Sequence, residues 1–111
     1  MINDINCTSG MLSWKSNGQQ YSYEIHEGTF IFDDDTILIM NNTRDRVIAL
    51  SETGEHMAEL DNSDIIYLMY LQKHPRFGLS VVVSIADQNG NWSDKYMSWV
   101  SGKFEIVSNS R

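Results

Sequence analysis

The densest concentration of ionisable groups in the chain is the run Asp33, Asp34 and Asp35. Three adjacent carboxylates repel one another and must be solvated or matched by cations. Successive side chains of a strand point to opposite faces, so consecutive acids there do not converge on one metal ion. The run therefore reads as a charged hairpin tip between the apolar segments 30–32 and 37–40, open to a basic partner. His26, His56 and His74 lie far apart, with none of the short spacings that set two imidazoles on one metal. None stands in a nucleophile motif with Ser or Cys. Cys7 is the single cysteine, so no disulfide forms within one chain, and no base lies near it in sequence to make it a nucleophile. The segment 87–94, DQNGNWSD, has Asp87, Asn89 and Asn91 at the alternate positions of a calcium loop. It then departs from that pattern: Trp92 stands where the loop needs glycine, and Ser98 where it needs a bidentate glutamate. Asn89-Gly90 is instead a two-residue hairpin signal. Residues 74–78, HPRFG, read as a connecting loop, and no glycine-rich phosphate loop is present. The chemistry on offer is that of a protein that binds rather than catalyses, with no cofactor and no metal.

Charge carries the clearest signal. Residues 24–64 hold eleven acids against two bases, Arg44 and Arg46, while the whole chain of 111 residues has a formal charge of −7. Nucleic-acid binding runs on Lys and Arg neutralising phosphates, and attraction to anionic lipid runs on the same residues, so both partners are excluded as direct ligands. A negative block of this size steers a positively charged macromolecule into contact. The carboxylates expected to meet it are Asp33, Asp34, Asp35, Glu52, Glu55, Glu59, Asp61 and Asp64. The same charges also serve solubility and protect strand edges from aggregation.

The elements that must position these groups are short. Gly and Asn recur at Asn17-Gly18, Gly28, Asn41-Asn42, Gly54, Gly78, Asn89-Gly90 and Gly102, where tight turns need positive φ. Between them lie β-forming runs at 20–26, Thr36–Met40, 47–50, 57–60, 80–85 and Lys103–Ser108. In the first, Tyr21, Tyr23 and Ile25 share one side. Strands and turn signals alternating about every ten residues predict an antiparallel, mainly β protein in a single domain spanning 1–111. Segments 14–25, 47–60 and 96–107 each read as strand, glycine turn, strand, with glycines 36 and 48 residues apart. Residues 30–60 and 65–108 thus form two four-stranded meanders, packed as two sheets. Their hairpin pattern resembles the blades of β-propellers, which repeat at ~40–50 residues. Segment 62–75 is ambiguous. Its Ile and Tyr residues favour a strand, while Ser63 as a cap and Lys73-His74-Pro75 as a stop allow a short helix around 63–73.

The profile as a whole, small, acidic, β-rich and without a catalytic motif, resembles the immunity proteins of bacterial toxin systems, including those of contact-dependent growth inhibition. The likeness lies in the profile and in no motif, so no residue role is transferred by it. It implies a cytoplasmic protein that binds a basic cognate toxin domain, often a nuclease, and blocks its active site. The start of the chain lacks the basic residues and apolar run of a signal peptide, in keeping with that location. The alternative is a non-enzymatic β domain that binds a peptide or sugar through loop aromatics, with Trp14, Trp92, Trp99, Tyr67, Tyr70 and Phe77 available.

Overall fold

A computed structural model of the chain describes residues 1–108. They form eleven strands: β1 (Asn3–Thr8), β2 (Met11–Ser16), β3 (Gln19–Glu24), β4 (Thr29–Phe32), β5 (Thr36–Met40), β6 (Arg46–Ser51), β7 (His56–Asp61), β8 (Ile66–His74), β9 (Gly78–Ala86), β10 (Trp92–Val100) and β11 (Lys103–Ser108). Every pairing is antiparallel and joins neighbours in sequence. The result is three separate meanders: an N-terminal sheet β1-β2-β3, a middle sheet β4-β5-β6-β7 and a C-terminal sheet β8-β9-β10-β11. The two four-stranded meanders fall where the hairpin pattern predicted them. The third sheet precedes them: the hairpin at 14–25 is extended by β1, whose sequence NDINCT is half Asn and Asp, residues that strands disfavour.

The short helix allowed around 63–73 does not form, and no helix occurs among the described residues. The reason lies outside the segment. Leu68 is fully buried against Leu79, Val81 and Val83 of the adjacent strand and against the middle sheet. Neighbouring strand β9 supplies a ladder along β8, and the extra residue at its one bulge brings Leu68 and Leu71, which strict alternation would put on opposite faces, onto that core together. The ladder is interrupted once, by a bulge between Leu68 and Tyr70.

Stacking of the sheets explains why β5 and β6 read as unbroken apolar runs, TILIM and RVIALS. Both faces of the middle sheet are covered. The cross-strand pairs Ile37–Leu50 and Ile39–Ile48 face the N-terminal sheet, where Leu12, Trp14 and Ile25 meet them. The pairs Leu38–Ala49 and Met40–Val47 face the other way, onto Leu68, Leu79, Val81 and Val83. An antiparallel sheet usually has one wet face and alternates polar with apolar; a sheet between two others loses that alternation. Burying each such aliphatic side chain contributes ~1.5–3 kcal/mol. Two cores, one on each side of a single sheet, give an elongated molecule of 51 × 27 × 20 Å.

Close approaches between layers fix particular residues. A Cβ on Gly28 would sit 2.6 Å from the carbonyl oxygen of Met40. No real side chain tolerates that distance, so the chain enters β4 there only as glycine.

Candidate functional site

Meander topology decides which acids meet. The turns 33–35 and 52–55 both lie at one end of the middle sheet, because β4–β5 and β6–β7 are its first and third hairpins. The turn 41–45, the exit from β7 and the entry into β4 lie at the other end. Asp33, Asp34, Asp35, Glu52 and Glu55 are thereby brought together. Glu59 and Asp61 stand along β7 instead, and Asp64 falls in the loop 62–65 beyond it. The predicted set is thus divided between a tip and an edge.

At the tip, backbone and side chains shape the turns. Asp33 Oδ1 accepts hydrogen bonds from the amides of Asp35 (3.1 Å) and Thr36 (2.9 Å), which closes the β4–β5 turn. Thr36 Oγ1 donates to Asp35 Oδ1 at 3.1 Å. Partial burial raises the Asp33 carboxyl above its ordinary value; the two amides act against this, and the neighbouring Asp35 adds to it. Asp34 uses its carbonyl to accept from the Ile2 amide at 2.7 Å and leaves its side chain exposed. In the turn 52–55, Ser51 Oγ accepts from the amides of Thr53 and Glu55, and Gly54 adopts φ +83.

The second turn is anchored to the N-terminal sheet. Trp14 Nε1 donates to the Glu52 carbonyl at 2.7 Å, and the indole is almost fully buried while stacking on Tyr21. Glu52 Oε1 accepts from Ser16 Oγ at 2.8 Å and from the chain's terminal amine at 3.2 Å. These two hydrogen bonds hold the Glu52 carboxyl below its ordinary value, although the Asp35 carboxylate opposes them. Asp33 and Asp35 share one groove with Ser51 and Glu52, so the two turns lie side by side.

An open groove of about 520 Å³ runs past these turns. Asp33, Asp35 and Glu52 line it together with Met57, Trp99 and the β10–β11 turn residues Ser101 and Gly102. The groove therefore combines carboxylates from the middle sheet with an indole from the C-terminal sheet. Trp99 also makes an edge contact with Phe104 at 5.2 Å between ring centres. Sequence reasoning held Trp99 only as one aromatic among six; that its indole borders the acidic turns follows from sheet stacking and has no local signature.

The remaining sites flagged in the sequence are engaged in turns and pairs. His74 Nδ1 accepts from the amides of Arg76 and Phe77, so this imidazole caps the β8–β9 turn, with Phe77 and Tyr96 against its ring. His26 lies 3.4 Å from Glu24, and His56 3.7 Å from Glu59. Asp87 Oδ1 accepts from the amides of Asn89 and Asn91, forming the β9–β10 turn with Gly90 at φ +80. Cys7 is exposed. Among the described residues, no three His, Cys, Asp or Glu side chains are grouped so as to hold a metal ion. No helix among them is long and apolar enough to cross a membrane. Comparison with protein-family models, with curated proteins and with solved structures returns no match.

Proposed function

We propose that this protein is an immunity-type inhibitor that binds a basic cognate toxin domain, a nuclease in the first instance, and occludes its active site with the acidic tip. The observation that carries this reading is the convergence of Asp33, Asp34, Asp35, Glu52 and Glu55 on one end of the middle sheet, beside a groove that contains Trp99. A nuclease groove is lined by Lys and Arg that receive phosphates. Carboxylates spaced along two adjacent turns offer those cations an alternative, and the indole supplies an aromatic anchor of the kind that dominates interface energetics. Desolvated pairs at the centre of such a contact set the dissociation rate, and the surrounding charges set the association rate. The protein acts stoichiometrically in this scheme and carries out no reaction of its own.

The test uses a basic nuclease domain encoded beside the protein's own gene, titrated at low and high salt. Replacing Asp33, Asp34 and Asp35 by Lys together lowers the association rate by at least tenfold at low ionic strength and flattens its salt dependence. An association rate that ignores both the reversals and the salt would remove the proposal.

A further inference from the structure

Three sheets present six edges: β1, β3, β4, β7, β8 and β11. Exposed edges pair with foreign strands unless something blunts them. Five of the six are blunted. β1 is broken by a register shift between Asn3 and Asn6, with Asp4 at φ 51. β4 has only four residues and packs against β8. β7 carries Glu59 and Asp61 and is paired through a shift between Ala49 and Leu50. β8 contains the bulge between Leu68 and Tyr70, and β11 has Lys103, Glu105 and a shift opposite Tyr96 and Met97.

β3 is different. Its six residues, QQYSYE, pair with β2 in unbroken register from Gln19 to Glu24. It contains no proline, lysine or arginine, and its only charge is the terminal Glu24. The hairpin Asn17-Gly18, with both residues at positive φ, closes on the pair Ser16–Gln19. In a two-residue hairpin that closing pair exchanges hydrogen bonds, and the pattern alternates from there. Tyr21 and Tyr23 thus turn their amides and carbonyls to β2, whereas Gln20, Ser22 and Glu24 turn theirs to the open edge.

A cavity of about 160 Å³ opens beside the end of this strand; Tyr23, Ile25, Ile39 and Ile48 form its apolar wall, and Glu24, His26, Asn41 and Arg46 its polar rim. A cavity of ~150 Å³ in an apolar core accepts benzene, so this one takes a Leu- or Phe-sized side chain. We infer that the open edge of β3 accepts an extended basic segment of a partner protein as a fourth strand, with one apolar side chain seated in the cavity. Strand addition draws affinity from main-chain hydrogen bonds and selectivity from a side-chain pocket beside the edge, and both are present here. Charge selects the partner. Glu24 ends the strand and Glu27 follows it; the basic groups at the cavity are Arg46, already engaged by Glu59 and Asp61, and His26, 3.4 Å from Glu24. A second copy pairing antiparallel through the outward groups would set Glu24 opposite Gln20 and leave both acids unmatched across the strands, whereas a basic segment matches them. This surface is separate from the acidic tip and stands or falls without it.

The probe is a fluorescein-labelled peptide, Lys-Leu-Lys-Leu-Lys-Leu, titrated into the full chain by anisotropy. Saturable binding is expected, with slowed amide exchange at Gln20, Ser22 and Glu24. Ser22→Pro removes an amide that faces outward and costs no internal ladder bond. It should weaken binding at least tenfold with an unchanged circular dichroism spectrum. The same peptide N-methylated at alternate residues should bind the wild-type chain at least tenfold more weakly, an arm that needs no variant to fold. Charge reversal at Asp33, Asp34 and Asp35 should leave peptide affinity within twofold, which separates this edge from the tip. Absence of saturable binding, equal affinity for the N-methylated peptide, or unchanged exchange at the three amides overturns the inference. A concentration-dependent dimer that Ser22→Pro dissolves would assign the edge to a second copy and overturn it as well.

Discussion

The two ends of the middle sheet carry the same kind of charge in opposite settings. At the far end two of the acids meet an arginine. Arg46 lies 3.5 Å from Glu59 and 3.6 Å from Asp61, and Asp45 is held by the Asn41 amide group and by Thr43 Oγ1. Both arginines of the acidic segment, Arg44 and Arg46, fall at that end. At the tip, Asp33 and Asp35 are satisfied only by amides and a hydroxyl within their own turn, and Asp34 points into solvent. Among the described residues, the one cation that meets an acid of the tip is the chain's terminal amine, 3.2 Å from Glu52. Hydrogen bonds from amides fix the shape of a turn but leave its net charge in place. The far end therefore sets guanidinium charge against part of its acids, whereas the carboxylates of the tip, Glu52 excepted, are matched only by amides and a hydroxyl and project a negative field.

Several substitutions break or sharpen this contrast. The largest effect is expected from Trp14→Ala, which removes a buried indole and one of the hydrogen bonds that tie the turn 52–55 to the N-terminal sheet. Loss of a large buried aromatic costs ~3–5 kcal/mol, read as a lower midpoint in urea unfolding. A shift of less than ~1 kcal/mol would mean that the tip is held by other contacts.

The contrast itself is tested by a pair of neutralisations with opposite outcomes. Asp61→Asn removes one of the acids at Arg46 and lowers stability by up to ~1 kcal/mol, the range of exposed ion pairs. Asp34→Asn relieves repulsion among unmatched carboxylates and leaves stability unchanged or raises it, within ~0.5 kcal/mol. Added salt shrinks both effects, because both groups are exposed. If the two variants shift the unfolding midpoint in the same direction, the ends are not electrostatically distinct.

The smallest effect is a pH dependence, and its sign differs among the groups. Asp45 and Glu52 are held below their ordinary values by hydrogen bonds, from Asn41 and Thr43 in one case and from Ser16 and the terminal amine in the other. Their contribution to stability is present above the unfolded carboxyl value and is lost as pH falls through the folded one. Asp33 is raised by burial, so its contribution is present below the unfolded value and is lost as pH rises through the folded one. Carboxyl titration by NMR should find Asp33 protonating before Asp45 on acidification. The reverse order would contradict the local hydrogen bonding described for both.

Legibility in the sequence was uneven for physical reasons. Thr36–Met40 and Lys103–Ser108 were readable to the residue, because apolar or β-branched runs bounded by turn signals leave few alternatives. The inward side of β3 was readable too: Tyr21 and Tyr23 pack on the core and Ile25 is buried there. β1 was not, since its stability comes from pairing with β2 and from the Ile2 amide on Asp34, both tertiary. Segment 62–75 was balanced between helix and strand until the ladder with β9 decided it. For the site, the density of charge over 24–64 was plain, but its division was not. Adjacent residues such as Asp33, Asp34 and Asp35 had to stay together, whereas Glu52 and Glu55 joined them and Asp64 did not.

By itself the sequence determined that this chain folds into antiparallel hairpins and that one stretch of it is strongly negative. Alternation of side chains and the placing of glycines are local properties, and so is a count of charges. Only the tertiary structure decided which turns share an end, which acids meet Arg46, and that Trp99 borders Asp33 and Asp35. It also decided which strand is left as an open edge. The reason is that a meander reverses direction at each turn and the sheets then stack face to face. Contacts across those reversals and layers join residues far apart in the chain, and no short-range pattern records them.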